Sequence, residues 1–328
     1  MPPVIAGDQL YMALDSGVVV AYRARDGAEV WRREIRAESP MATDGSRVFI
    51  ASGETIHAIN ADGSSAWNAG AGGLTAPMLV HDGWVIAAAK GQLSALRATD
   101  GSVVWRRAIG EARERASIEG DNLFVPLEDG LLVALDLMTG ADKWQRHLRG
   151  APTEVLPFAD RVYVGSADKY FYCLDTDDGE IAWRVRIGAV LRGRPAADAE
   201  RVYIVALDNL LRAFDRGNGA LRWSPRAIPF RPTAGPVVIG STVAVAGTTS
   251  EVRAFAAATG RPAGLLALPQ PLATAPAYDS VVLRVAAVTG SLTRQWQLSL
   301  GIPGLPALAV EPLSAIPGLP LPIPRPPG

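Results

Sequence analysis

A single cysteine, Cys173, stands in a chain of 328 residues. One thiol rules out an internal disulfide and cannot build a zinc cluster. Histidine is almost as scarce: His57, His81 and His147 fall at different points of the chain, and no two stand at a metal-ligand spacing. Charge of one sign is missing too, since 32 Lys+Arg offset 33 Asp+Glu for a net charge of −1. Without a bulk field or blocks of like charge, no nucleic-acid partner is expected, and nothing favours an anionic membrane surface. No apolar run approaches the roughly 18 residues of a spanning helix, so no transmembrane segment is expected. The opening Met1-Pro-Pro-Val-Ile-Ala-Gly-Asp has no basic region ahead of an apolar stretch and does not read as a secretory signal. There is no Gly-x-Ser-x-Gly elbow, no phosphate-binding loop and no helical periodicity of useful length. Asn68-Ala-Gly-Ala-Gly-Gly lacks the lysine and following helix of a phosphate cradle and is expected to be an inter-blade loop.

What is present is a core and a repeat. Hydrophobic residues make up 48% of the chain, enough for extensive burial and too many for disorder over most of it. A turn glycine is followed four residues later by tryptophan in six places: Gly27/Trp31, Gly63/Trp67, Gly101/Trp105, Gly140/Trp144, Gly179/Trp183 and Gly219/Trp223. A seventh turn glycine, Gly260, has Gly264 where tryptophan is due. Successive turn glycines lie 36, 38, 39, 39, 40 and 41 residues apart, the period of a four-stranded propeller blade. Upstream of each stands a small residue (Ala21, Ala58, Ala95, Ala134, Cys173, Ala213, Ala254), each followed by a large apolar one. Four residues before these lie hairpin positions at Gly17, Glu54, Gly91, Gly130, Lys169, Asn209 and Ser250, and Gly290 continues that column.

The pattern predicts an all-β chain: an eight-bladed β-propeller of four-stranded antiparallel blades, its last blade incomplete. The propeller is expected over residues 1–301, followed by a proline-rich C-terminal tail at 302–328 with nine prolines. That tail reads as a disordered spacer, with partner docking as the alternative. A blade cannot bury both faces alone, so stacking must do it. Trp31, Trp67, Trp105, Trp144, Trp183 and Trp223 are expected to dock between blades, each needing one acceptor for its indole N–H. Cys173 occupies the small-residue column and reads as a buried core residue. No regular outer strand follows the eighth hairpin, so either Met1 is a late start that omits a closing strand, or the tail segment Leu305-Pro-Ala-Leu-Ala-Val covers the edge.

Most conspicuous side chains follow the repeat. Asp26, Asp62, Asp100 and Asp178 recur with the blade and are turn formers. No catalytic set, cofactor pocket or metal site is expected. Outside the repeat, the inter-blade loops carry Arg113, Arg115, Arg149, Arg192, Arg194 and Arg231, with Glu111, Glu114 and Glu154 nearby. If the loops share one rim, these arginines form a crescent suited to a carboxylate-bearing or peptide partner. Arg113, Arg115, Leu191, Arg192, Arg194 and Arg231 are therefore the candidate partner-binding residues.

The unit resembles the tryptophan-docking repeat of the quinoprotein, or PQQ-like, β-propeller family. Its pattern Ala-x-Asp-x-x-Thr-Gly-x-x-x-Trp is matched throughout by Ala134-Leu-Asp-Leu-Met-Thr-Gly-Ala-Asp-Lys-Trp144, and closely by Ala213-Phe-Asp-Arg-Gly-Asn-Gly-Ala-Leu-Arg-Trp223. The resemblance covers roughly residues 4 to 300 and is specific for fold rather than function. Its dehydrogenase branch binds pyrroloquinoline quinone and calcium near the axis, in much longer chains. Many of those carry an adjacent cysteine pair that this sequence cannot supply. The compact blades here are more similar to the BamB outer-membrane assembly branch, which has no chemistry and binds a partner through loops. That branch carries a Leu-Arg-Gly element, matched by Leu191-Arg192-Gly193. Its next loop is acidic, whereas here it reads Phe230-Arg231-Pro-Thr-Ala-Gly-Pro. The resemblance implies a monomeric, non-catalytic scaffold for protein–protein interaction in the bacterial envelope, in the periplasm or on the periplasmic face of the outer membrane. The alternatives are a quinone-binding dehydrogenase relative and a sensory or ligand-binding propeller from a larger protein.

Overall fold

The computed structural model describes residues 1, 3–267 and the strands Ala277–Asp279, Val282–Thr289, Leu292–Ser299 and Ala309–Pro312. The described elements are all strands, joined by turns and loops. Seven four-stranded antiparallel meanders succeed one another through residues 4–267. Blade 1 is Val4–Ala6, Gln9–Leu14, Val18–Arg23 and Glu29–Arg33, and each later blade repeats that order. The further strands pair in the same order, with Ala309–Pro312 against Leu292–Ser299. An outer strand therefore stands where the sequence offered no regular one, and the tail supplies it.

The blades stack as a β-propeller. Six apolar clusters each join one blade to the next, from blade 1 with blade 2 through blade 6 with blade 7. The third strand of each blade is buried on both faces, as Val18–Arg23 shows, because neighbours cover it from each side. Outer strands alternate instead: Asp142–His147 buries Trp144 among exposed neighbours. The small column lies at the closest approach of the sheets. Ala21, Ala58, Ala95, Ala134, Cys173 and Ala213 are all fully buried.

The tryptophans dock in one way at every seam. Trp31, Trp67, Trp105, Trp144, Trp183 and Trp223 each donate Nε1–H to a carbonyl in the next blade, those of Ala61, Ala98, Leu137, Thr176, Arg216 and Ala257, at 2.7 to 3.1 Å. Each ring lies against the next blade's turn glycine. A Cβ on Gly101 would sit 2.5 Å from the Trp67 ring, and one on Gly179 2.5 Å from that of Trp144. The glycine is thus required twice, for its positive φ and for the ring above it. Gly264, paired with Ala254, offers no ring to whatever follows blade 7.

Two local expectations change. At the blade 2 hairpin the left-handed residue is Gly53 (φ 57°) and not Glu54. Asn68, Ala69 and Gly70 finish the outer strand Ser65–Gly70 instead of lying in a loop, and His57 Nδ1 pairs with Asn68 Oδ1 at 2.9 Å.

Candidate partner-docking rim

A blade of four antiparallel strands sends its inter-blade connection and its central hairpin to the same end of the sheet. Hydrogen bonds between the two confirm it. Glu128 N donates to Glu111 O at 2.8 Å, Ala167 N to Ala151 O at 2.9 Å, Leu207 N to Val190 O at 3.0 Å and Thr248 N to Arg231 O at 3.0 Å. All the inter-blade loops therefore share one rim. The tryptophan docks lie at the opposite end, with the Gly27-type turns.

Arg113, Arg149, Arg192, Arg194 and Arg231 are solvent-exposed on this rim, and Arg115 is half-buried. Among these six, Arg113 alone makes an ion pair with a described residue, Glu128 at 3.2 Å. Both partners are more than half exposed, so that pair contributes little to stability. Leu191 is different: it is 4% exposed and packs in the core between blades 5 and 6, against Gly165. Its side chain anchors the loop and is not presented to a partner.

The loop between blades 5 and 6 is held by glycines. Gly193 has φ 69°, and a Cβ there would meet Gly235 N at 2.2 Å. A Cβ on Gly235 would meet Arg194 O at 1.9 Å. Two loops thus touch backbone to backbone, which fixes Arg192 and Arg194 beside the Arg231 loop. Arg194 also donates Nε–H to Val155 O at 3.0 Å on the innermost strand of blade 5.

Charge is mixed below the arginines. Surrounding protein holds the Arg194 pKa below its ordinary value, with Arg115 adding to the effect and Glu154 and Glu119 opposing it. Burial raises the Glu114 carboxyl, helped by Glu154 and opposed by Arg192. Burial raises Glu119 too, against a hydrogen bond from Ala159 N at 2.8 Å. Arg115 Nε and Glu119 Oε2 are buried without a partner among the described residues. Glu119 was not singled out in the sequence. Its signal is a charged residue at the end of an innermost strand, where the repeat places it near the axis.

The histidines stay apart: His81 Nε2 lies 3.3 Å from Asp82, and His147 Nδ1 2.7 Å from Leu148 O. Cys173 is fully buried, and burial pushes its thiol up to about 12. Among the described residues no group of three or more His, Cys, Asp or Glu is placed to hold a metal ion.

Comparison with known proteins matches the family described as outer membrane protein assembly factor BamB over residues 15–156 and 128–297. BamB of Yersinia pestis is 23% identical over 201 residues, 54% of this chain and 51% of the relative. The match therefore spans about half the length of that curated relative. BamB of Moranella endobia is 22% identical over 329 residues, 89% of this chain and 84% of the relative. The crystal structure of BamB from Moraxella catarrhalis superposes with a TM-score of 0.72 at 21% identity, covering 90% of this chain and 96% of that one. The quinohemoprotein alcohol dehydrogenase of Comamonas testosteroni also shares the fold, with a TM-score of 0.68 at 14% identity over 87% of this chain and 70% of its own. With the repeat, the docked tryptophans and a family match across most of its length, this chain belongs to the outer membrane protein assembly factor BamB family of PQQ-like β-propellers.

Proposed function

We propose that this chain is a non-catalytic scaffold in outer-membrane protein assembly, working at the periplasmic face of that membrane. The arginine rim docks a protein partner through exposed carboxylates or a peptide backbone. The observation that carries this is the Gly193–Gly235 contact, which places Arg192, Arg194 and Arg231 together on a rigid base with no ion-pair partner among the described residues. Arg194 is held by Val155 O, and guanidinium groups reach carboxylates bidentately. The proposed ring has eight blades. Its eighth combines the three strands after residue 276 with Ala309–Pro312, which lies past the proposed boundary at residue 301.

The test is affinity capture from bacterial envelope extract with the intact protein and with Arg192→Ala, Arg194→Ala and Arg231→Ala combined. Loss of the captured assembly component is expected, and unchanged capture would refute the docking role. Thermal unfolding with pyrroloquinoline quinone and calcium separates the dehydrogenase alternative. No shift of the midpoint is expected, whereas saturable stabilisation would favour a cofactor site.

A further inference from the structure

A repeat protein supplies its own controls, because each position can be compared with its counterparts in other blades. At the rim of blades 4 to 7 the inter-blade connection runs antiparallel to the central hairpin for a few residues. Ala112 stands opposite Leu127, Pro152 opposite Ser166, Leu191 opposite Ala206 and Pro232 opposite Gly247. Side chains alternate between the two faces of such a ladder. In blade 6, Leu191 and Ala206 point into the core between blades 5 and 6. Val190, Arg192 and Leu207 therefore point to the other face, the side on which Val205 packs against blade 7.

Two positions face each other diagonally across this ladder. They hold Arg113 and Glu128 in blade 4, Thr153 and Ala167 in blade 5, Arg192 and Leu207 in blade 6, and Thr233 and Thr248 in blade 7. Diagonal neighbours lie within reach of long side chains. Blade 4 shows this, since Arg113 donates Nε–H to Glu128 Oε2 at 3.2 Å. Arginine thus occupies one place in two blades. In blade 4 it has a carboxylate; in blade 6 a leucine stands where that carboxylate would be. Leu207 is 39% exposed. Between residues 4 and 267 the other exposed large hydrophobics are Val30, Val103, Met138, Ile181, Leu221 and Leu265, which lie on outer strands or the turns before them.

The acid beside the leucine is already engaged. Arg212, 9% exposed, donates from both Nη atoms to the two oxygens of Asp208 at 3.1 and 2.5 Å, and Leu210 N donates to Asp208 at 3.2 Å. That fixes the hairpin carrying Leu207. Arg192 N donates to Val205 O at 2.9 Å, which ties its loop to the same hairpin. Glu114 feels the charge of Arg192, but burial draws its carboxyl towards the neutral form.

We propose that Arg192 and Leu207 form a two-point site for a partner segment presenting a carboxylate beside a large apolar side chain. The carboxylate takes the role that Glu128 plays in blade 4, and the apolar side chain covers Leu207 and Val190. Arg231, brought alongside by the Gly193–Gly235 contact, adds positive charge. Charge complementarity therefore selects an acidic segment, and the exposed leucine discriminates against one that is merely acidic. The site deepens the docking role proposed for the rim and rests on it.

Selection from a random library of short peptides displayed on phage, against the intact protein, tests this. Enriched sequences are expected to carry Asp or Glu next to Leu, Ile, Phe or Met. Synthetic peptides made from them should bind at least about tenfold more weakly to Leu207→Glu, which sets the blade 4 ion pair against Arg192, and to Leu207→Ser, which removes only the apolar contact. Leu207 is an exposed hairpin residue, so both variants should keep the unfolding midpoint. No enrichment, enrichment lacking either the acid or its apolar neighbour, or peptides that bind both variants undiminished would overturn the proposal. So would Leu207-dependent binding to phosphatidylglycerol vesicles, or to a second copy of the chain, with no peptide enriched. Capture of the envelope component separates this site from the reading it rests on. If the triple arginine variant loses capture and Leu207→Glu keeps it, the two-point site falls alone. If both keep capture, the docking role of the rim falls with it.

Discussion

The two ends of this propeller follow different rules. At the turn end, six seams repeat one device: a tryptophan laid on the next blade's glycine, with its N–H on a carbonyl of the same turn. At the loop end the connections differ in charge, from none in residues 71–78 to two arginines in residues 187–195, and arginines stand exposed. Uniformity at the first end reflects what stacking requires of every blade. Irregularity at the second is not needed to close any seam, and it is there that we propose recognition takes place.

Breaking the uniform end should cost most. Trp144→Ala removes a buried ring and strands the Thr176 carbonyl, for an expected loss of about 4 kcal/mol measured by chemical unfolding. Gly179→Ala should cost about 3 kcal/mol, since a Cβ would overlap the Trp144 ring at a residue with φ 68°. A smaller effect is expected from Arg146→Ala. Arg146 donates Nε–H to Gly179 O at 2.7 Å and also meets Glu180, and its loss should cost about 1 kcal/mol.

That arginine shows what the sequence concealed. The glycine–tryptophan spacing made the fold legible, because both residues serve the same seam and so recur together. Arg33, Arg107 and Arg146 also recur, two residues after Trp31, Trp105 and Trp144, and each reaches the carbonyl of the next turn glycine. They were hidden because blades 2 and 5 carry Ala69 and Val185 there. The rim was only half legible. Composition pointed to Arg192, Arg194 and Arg231, but not to the role of Leu191, whose burial depends on Gly165 of the neighbouring blade. The Gly193–Gly235 approach joins residues 42 apart in sequence, and no local pattern reports such a contact.

The seam also sets a pH response. Burial pushes the Cys173 thiol from 9.0 up to about 12, and Tyr163 beside it from 10.0 to about 12. Both groups stay neutral in the folded state while the unfolded chain ionises. The stability they contribute is full below about pH 9 and is lost as pH rises towards 12. Unfolding midpoints measured across that window should fall, and Cys173→Ala should flatten the fall. In the native protein at neutral pH, a thiol reagent should leave Cys173 unmodified until the chain unfolds.

The most direct measurement sets one pair of arginines against another. Arg107→Ala with Arg146→Ala strips two seams, and Arg192→Ala with Arg231→Ala strips the rim. Unfolding and capture of the envelope partner would be measured on both proteins. The seam pair is expected to lower the unfolding midpoint and retain capture, while the rim pair keeps the midpoint and loses capture. If the rim pair destabilised the fold as much as the seam pair, or captured its partner undiminished, the division between a folding end and a binding end would be contradicted.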